Sequence, residues 1–70
     1  MKVNEIKNWL IQHGFEKTGS YYKREDLTIS FMVSCIIIDV EGLRVVCDYS
    51  DLEIDVAGLS SRDGSLRIND

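Results

Sequence analysis

Leu27-Thr-Ile-Ser-Phe-Met-Val33 and Ile36-Ile-Ile-Asp-Val40, followed by Glu41-Gly42 and Leu43-Arg-Val-Val-Cys47, decide the fold. Apolar alternation is half-matched in these segments, being interrupted by runs such as Ile36-Ile-Ile38, and it reads as the spine of an antiparallel sheet. With Glu41-Gly42 at a hairpin tip, Asp39 opposes Arg44, Ile38 opposes Val45 and Ile36 opposes Cys47. One face is then wholly apolar and the other gains a cross-strand ion pair. Shifting the register by one sets Asp39 against Leu43 and Ile38 against Arg44, which is worse on both faces. In the favoured register Cys35 opposes Asp48 and points away from Cys47, so no disulfide between them is expected.

Upstream, Tyr21–Arg24 reads as a short strand turned by Glu25-Asp26 into the strand that begins at Leu27. This places Tyr22 opposite Ile29. Apolar parity switches from odd to even positions between Val33 and Ile36, with no Gly, Pro, Asn or Asp to mark a turn. The simplest expectation is one long strand bent by a β-bulge at Ser34-Cys35.

The N-terminal segment has a different period. Val3, Ile6, Leu10 and His13, with Trp9 alongside, recur at helical spacing, and Gly14 follows where a left-handed cap belongs. A helix over about residues 4–13 results, with His13 in its last turn where a cation suits the dipole. Ten residues are too few for a stable isolated helix, so its apolar stripe must pack on the sheet. Phe15 anchors the exit and Lys17-Thr-Gly-Ser20 reads as a loop.

Downstream, Leu52, Ile54 and Val56 alternate with Glu53 and Asp55, a strand pattern. Ser50-x-x-Glu53 also fits a helix capping box, so a helical turn is the competing reading of the same residues. Asp63-Gly64 signals a hairpin that sets Leu66–Ile68 opposite Leu59 and Ser61. The expected architecture is a single α+β domain over residues 1–70. One N-terminal helix packs on a four- to five-stranded, mostly antiparallel meander.

Seventy residues, 44% hydrophobic and 29% charged with no Pro, describe a folded globule near the lower size limit. A chain this long buries only about 60% of its unfolded surface, so a partner is worth seeking. The opening Met-Lys-Val-Asn-Glu has no apolar core of a leader, and no run approaches a membrane span. The expectation is a cytoplasmic protein with no membrane association.

The net charge of −4 is unevenly distributed: residues 1–38 carry +1 and residues 39–70 carry −5. The acidic half disfavours nucleic acid or anionic lipid and suits a basic protein surface.

Motifs for chemistry are missing. One His and two Cys, none closer than twelve residues apart, do not make a structural zinc site. Asp48-x-x-Asp51-x-Glu53-x-Asp55 lacks the Gly and terminal Glu of a calcium loop. A nucleophilic Cys35 or Cys47 would need His13 and an orienting third group, and no such spacing is present. No Gly-rich phosphate loop occurs. The reading is therefore no enzyme, no metal and no cofactor.

Three surfaces remain. If the helix covers the side carrying Ile29, Phe31, Ile38 and Val45, then Met32, Ile37 and Val46 lie on the reverse, ringed by polar residues, as an interface would. The C-terminal hairpin folding across them is the competing arrangement. Asp51, Glu53 and Asp55, with Asp48 near their start, form an acidic row that could enter a basic groove. Tyr21, Lys23 and Arg24 combine aromatic and positive groups as single-strand binders do, although the overall acidity makes nucleic acid an unlikely partner.

The reading is thus a small non-enzymatic acidic protein-binding module. Its most specific form is an inhibitor or accessory factor, of the phage or mobile-element kind, acting on a nucleic-acid enzyme. The alternative is a homodimer formed through the Met32/Ile37/Val46 face. A weak single-stranded nucleic-acid binder comes third.

Overall fold

The computed structural model describes residues 2–69. The helix α1 spans Lys2–Gln12 and buries Ile6, Trp9 and Leu10, one stripe at i, i+3 and i+4. It ends in a Schellman motif: Phe15 N donates to Leu10 O and Gly14 N to Ile11 O, with Gly14 at φ 88°. The His13 ring stacks on Trp9 at 4.1 Å and its Nδ1 donates to Trp9 O at 2.8 Å. The cation at this helix end is Arg24, whose guanidinium donates to His13 O at 2.7 Å and lies 4.5 Å from the centre of the Phe15 ring. A charged donor on the last carbonyls both satisfies them and opposes the helix dipole.

Five strands follow as an antiparallel meander: β1 Glu16–Thr18, β2 Tyr21–Arg24, β3 Leu27–Phe31, β4 Cys35–Val40 and β5 Leu43–Asp48. The β4–β5 register is the expected one, with Asp39 opposite Arg44, Ile38 opposite Val45 and Ile36 opposite Cys47. Arg44 Nε bonds Asp39 Oδ1 at 2.9 Å, as the cross-strand pairing requires. Glu41 and Gly42 have φ 49° and 83°, the signature of a type I′ turn, whose twist matches that of the strands it joins. Tyr22 opposes Ile29 across β2 and β3.

Two expectations fail. Lys17 and Thr18, expected in a loop, belong to the strand Glu16–Thr18, because Gly19-Ser20 makes a two-residue hairpin connection with Gly19 at φ 60°. There is also no long bulged strand: β3 and β4 are separate, paired antiparallel with Phe31 opposite Ile36. Their connection lacks turn residues because a distant side chain holds it. Tyr49 donates its hydroxyl to Met32 O and its N–H to Ser34 O, while Met32 N bonds Cys35 O.

A 3₁₀ turn, Tyr49–Asp51, leads into a second antiparallel sheet of β6 Leu52–Asp55, β7 Gly58–Ser61 and β8 Arg67–Asn69. The strand reading of residues 52–55 therefore prevails over the helical one. The hairpin signal at Asp63-Gly64 is also borne out, with Leu59 opposite Ile68 and Ser61 N bonded to Leu66 O. Separation into two sheets is the main addition to the expected architecture.

One core unites these elements. Ile6, Trp9 and Leu10 of the helix and Leu52, Leu59, Leu66 and Ile68 of the second sheet meet Tyr22, Ile29, Ile36, Ile38 and Cys47 of the meander. Helix and second sheet thus lie on the same side of the meander. Lys2 Nζ ties the start of the helix to Leu52 O at 2.9 Å.

Candidate functional site

The reverse of the meander has no element over it. Residues directly opposed in an antiparallel sheet share a face, so the register orders this surface into rows. The central row runs Thr18, Tyr21, Ser30, Ile37, Val46 across all five strands. Beside it runs Glu16, Lys23, Thr28, Asp39, Arg44, which is charged except at its middle. On the other side Cys35 opposes Asp48, next to the Met32 backbone.

Ile37 and Val46 are therefore direct cross-strand neighbours at the β4–β5 end of the face. Val46 is 58% exposed and Met32 52%, whereas Ile38, one residue along the strand from Ile37, is fully buried. The alternation of a strand places two chemically alike isoleucines in opposite environments. Val33, at the tip of the β3–β4 connection beside Met32, is fully exposed. That tip is braced from three directions. Besides the backbone bonds already described, Phe31 stacks with Tyr49 at 6.4 Å and meets Tyr22 edge-on at 5.4 Å. Lys7 places its ammonium 5.3 Å from the Phe31 ring centre. Burial is the main cause raising the Tyr49 hydroxyl above its usual range, so it stays a donor at neutral pH.

The acidic residues do not act together. Asp48 belongs to the open face, opposite Cys35. Asp51 falls in the 3₁₀ turn, before the strand begins. Glu53 is paired with Arg62 at 2.8 Å. Asp55 bonds the N–H groups of Ala57 and Gly58 at 2.9 and 3.2 Å and so shapes its own turn. Of the seven residues expected at a protein interface, four (Met32, Ile37, Val46 and Asp48) converge. Asp51, Glu53 and Asp55 lie in the second sheet and its approach.

Tyr21 and Lys23 share the open face, but Arg24 lies on the opposite one and is committed to His13 and Phe15. The aromatic-basic trio is thus reduced to a pair.

Cys35 and Cys47 are both free thiols on opposite faces. Burial raises the Cys47 thiol, whose Sγ lies 3.9 Å from Ser65 Oγ. Among the described residues, no three His, Cys, Asp or Glu side chains are grouped to hold a metal ion, and no helix is long and apolar enough to cross a membrane.

Signals for the overlooked residues exist in hindsight. Gly19-Ser20 is a recognised hairpin dipeptide, and the parity switch near Val33 marks a reversal as readily as a bulge. Nothing local reveals Tyr49, which acts across a sequence gap of 17 residues. No protein-family model matches this chain, and comparison with curated proteins and solved structures yields no match either.

Proposed function

We propose that this protein is a non-enzymatic protein-binding module that docks through the open face of its meander. The carrying observation is exposed Val46 beside half-buried Ile37, flanked by exposed Met32 and edged by Asp48, on a sheet whose other face carries the core. An uncovered apolar centre with a polar rim is the usual anatomy of an interface.

Size and charge argue for what docks there. Five strands about 4.8 Å apart and five residues long give a face of roughly 350 Å². Obligate homodimers bury far more, about 2,000 Å² or above in total. Two copies would also bring together two chains of net charge −4. A transient partner with an apolar contact and a basic surround fits better than a second copy. The narrower reading, an acidic row presented to the basic site of a nucleic-acid enzyme, has weaker support because Glu53 and Asp55 are already engaged. Two free thiols suit the reducing cytoplasm as the place of action.

The test is affinity capture with the wild type, Val46→Asp and Val56→Asp, the last being a still more exposed residue in a turn of the second sheet. A partner released by high salt, lost with V46D and kept with V56D is the expected result. Retention of that partner by V46D would overturn the reading. Light scattering supplies the other arm: a particle of twice 8.0 kDa that dissociates on Ile37→Asp would make the occupant a second copy.

A further inference from the structure

A groove of about 500 Å³ lies away from the open face, between β8 and the end of the meander at Leu27 and Val40. Every residue from 65 to 69 lines it. Side chains of a strand alternate between faces, so a groove touched by consecutive residues runs along the strand's backbone edge.

The hydrogen-bond phase gives that edge its chemistry. Ser61 N bonds Leu66 O at 3.0 Å, which makes Ser61–Leu66 a bonded pair of the β7–β8 ladder. Bonded and non-bonded pairs alternate along an antiparallel ladder, so Leu59–Ile68 is bonded while Ser60–Arg67 and Gly58–Asn69 are not. The peptide groups of Arg67 and Asn69 consequently point away from β7, toward the groove. Among the described residues β8 is the last strand of its sheet, paired with β7 alone.

Opposite this edge the floor is apolar. Leu27 and Val40 are register partners on the inner face of the meander, and both remain half-exposed because the second sheet stops short of them. Val45 continues the floor. The rim cations are engaged: Arg24 with His13 and Arg67 with Asn69 at 3.1 Å. Glu25 and Asp26 leave one end of the groove acidic.

We propose that this groove receives an extended peptide, which adds as a strand to β8, sets apolar side chains on Leu27 and Val40, and places a basic residue beside Glu25 and Asp26. A free strand edge supplies main-chain affinity, and the alternating pocket supplies selectivity. The site is separate from the open face, so either proposal can fail without the other.

The probe is a pool of acetylated, amidated heptapeptides with Val, Ile or Leu at alternate positions and Lys or Arg at one end, titrated into ¹⁵N-labelled full-length protein. Shifts and slowed exchange at the Arg67 and Asn69 amides, with shifts at Leu27 and Val40, are expected. N-methylation of alternate peptide nitrogens should weaken binding at least roughly tenfold, since each blocks a main-chain bond. Val40→Trp should do the same while preserving the dispersed spectrum. No shift with about 1 mM peptide, well above the weak binding expected of such a groove, would overturn the proposal. So would shifts confined to Met32 and Val46, or movement of the Arg67 and Asn69 amides with protein concentration alone, which would assign the edge to a second copy.

Discussion

The Tyr49 hydroxyl donates to the carbonyl of Met32, so a residue after β5 fixes the connection between β3 and β4. That connection has no Gly, Asn or Pro, and Tyr49 anchors it through its hydroxyl, its N–H and its stacking on the Phe31 ring. Tyr49→Phe keeps the stacking and removes the bond. We expect a loss of about 1 kcal/mol in urea unfolding, the usual net worth of one hydrogen bond. Faster exchange of the Met32 and Tyr49 amides, which bond Cys35 O and Ser34 O, should accompany it. Unchanged exchange of the Met32 and Tyr49 amides would show that the loop does not depend on the hydroxyl.

The two sides of β4 and β5 should respond very differently to substitution. Ile38→Ala removes a fully buried side chain and should cost about 2–5 kcal/mol, enough to unfold a domain of this size. Val46→Thr, on the open face, should change stability by no more than about 0.5 kcal/mol. Chemical denaturation of both variants checks this. A large loss from V46T would mean that the face is covered in solution.

Glu41 sits at φ 49° in the first central position of its turn, where a non-Gly side chain is strained. Asn tolerates that conformation, and Asn-Gly is the preferred type I′ pair. Glu41→Asn should therefore stabilise the protein by about 0.5 kcal/mol, read as a rise in melting temperature.

Asp63 organises the β7–β8 hairpin. Its carboxylate accepts from Ser65 N at 2.9 Å, from Ser61 Oγ at 2.7 Å and from Ser65 Oγ at 2.7 Å. These bonds, led by the backbone N–H of Ser65, favour the charged form and lower its pKa from 3.8 to about 2. A carboxyl depressed on folding stabilises the folded state above its unfolded value. That contribution is lost as pH falls through the folded one. NMR titration of the carboxyl should show a midpoint near 2. The acid limb of the stability profile should lose this component in Asp63→Asn. A midpoint close to 3.8 would dissolve the network.

How much the sequence reveals depends on the range over which each cause acts. Ile6, Trp9, Leu10 and Gly14 specify the helix and its end within a dozen residues, and Asp39–Arg44 selects a register across one tight turn. Both are legible. The β3–β4 reversal is not, because the group that replaces turn chemistry there is Tyr49. Lys17 and Thr18 show no apolar alternation, since β1 is an exposed edge strand held by its pairing with β2. Three of the seven candidate interface residues, Ile37, Val46 and Asp48, belong to the β4–β5 hairpin, and parity alone sets them on one face. Spacing presents Asp51, Glu53 and Asp55 as a row, because it does not show that Glu53 pairs with Arg62 and that Asp55 binds turn amides.

The bond from Lys2 to Leu52 joins the first turn of the helix to a strand fifty positions later. The helix and the strands that carry Leu52, Leu59 and Ile68 are thus held in one interior by contacts far apart in sequence. The meander, built from adjacent hairpins, can zip early. Closure of the interior needs residues 52–68, and without them Ile6 and Leu10 lose the packing partners that the second sheet supplies. A truncation that removes the last two strands should accordingly yield an aggregating polypeptide rather than a smaller stable one.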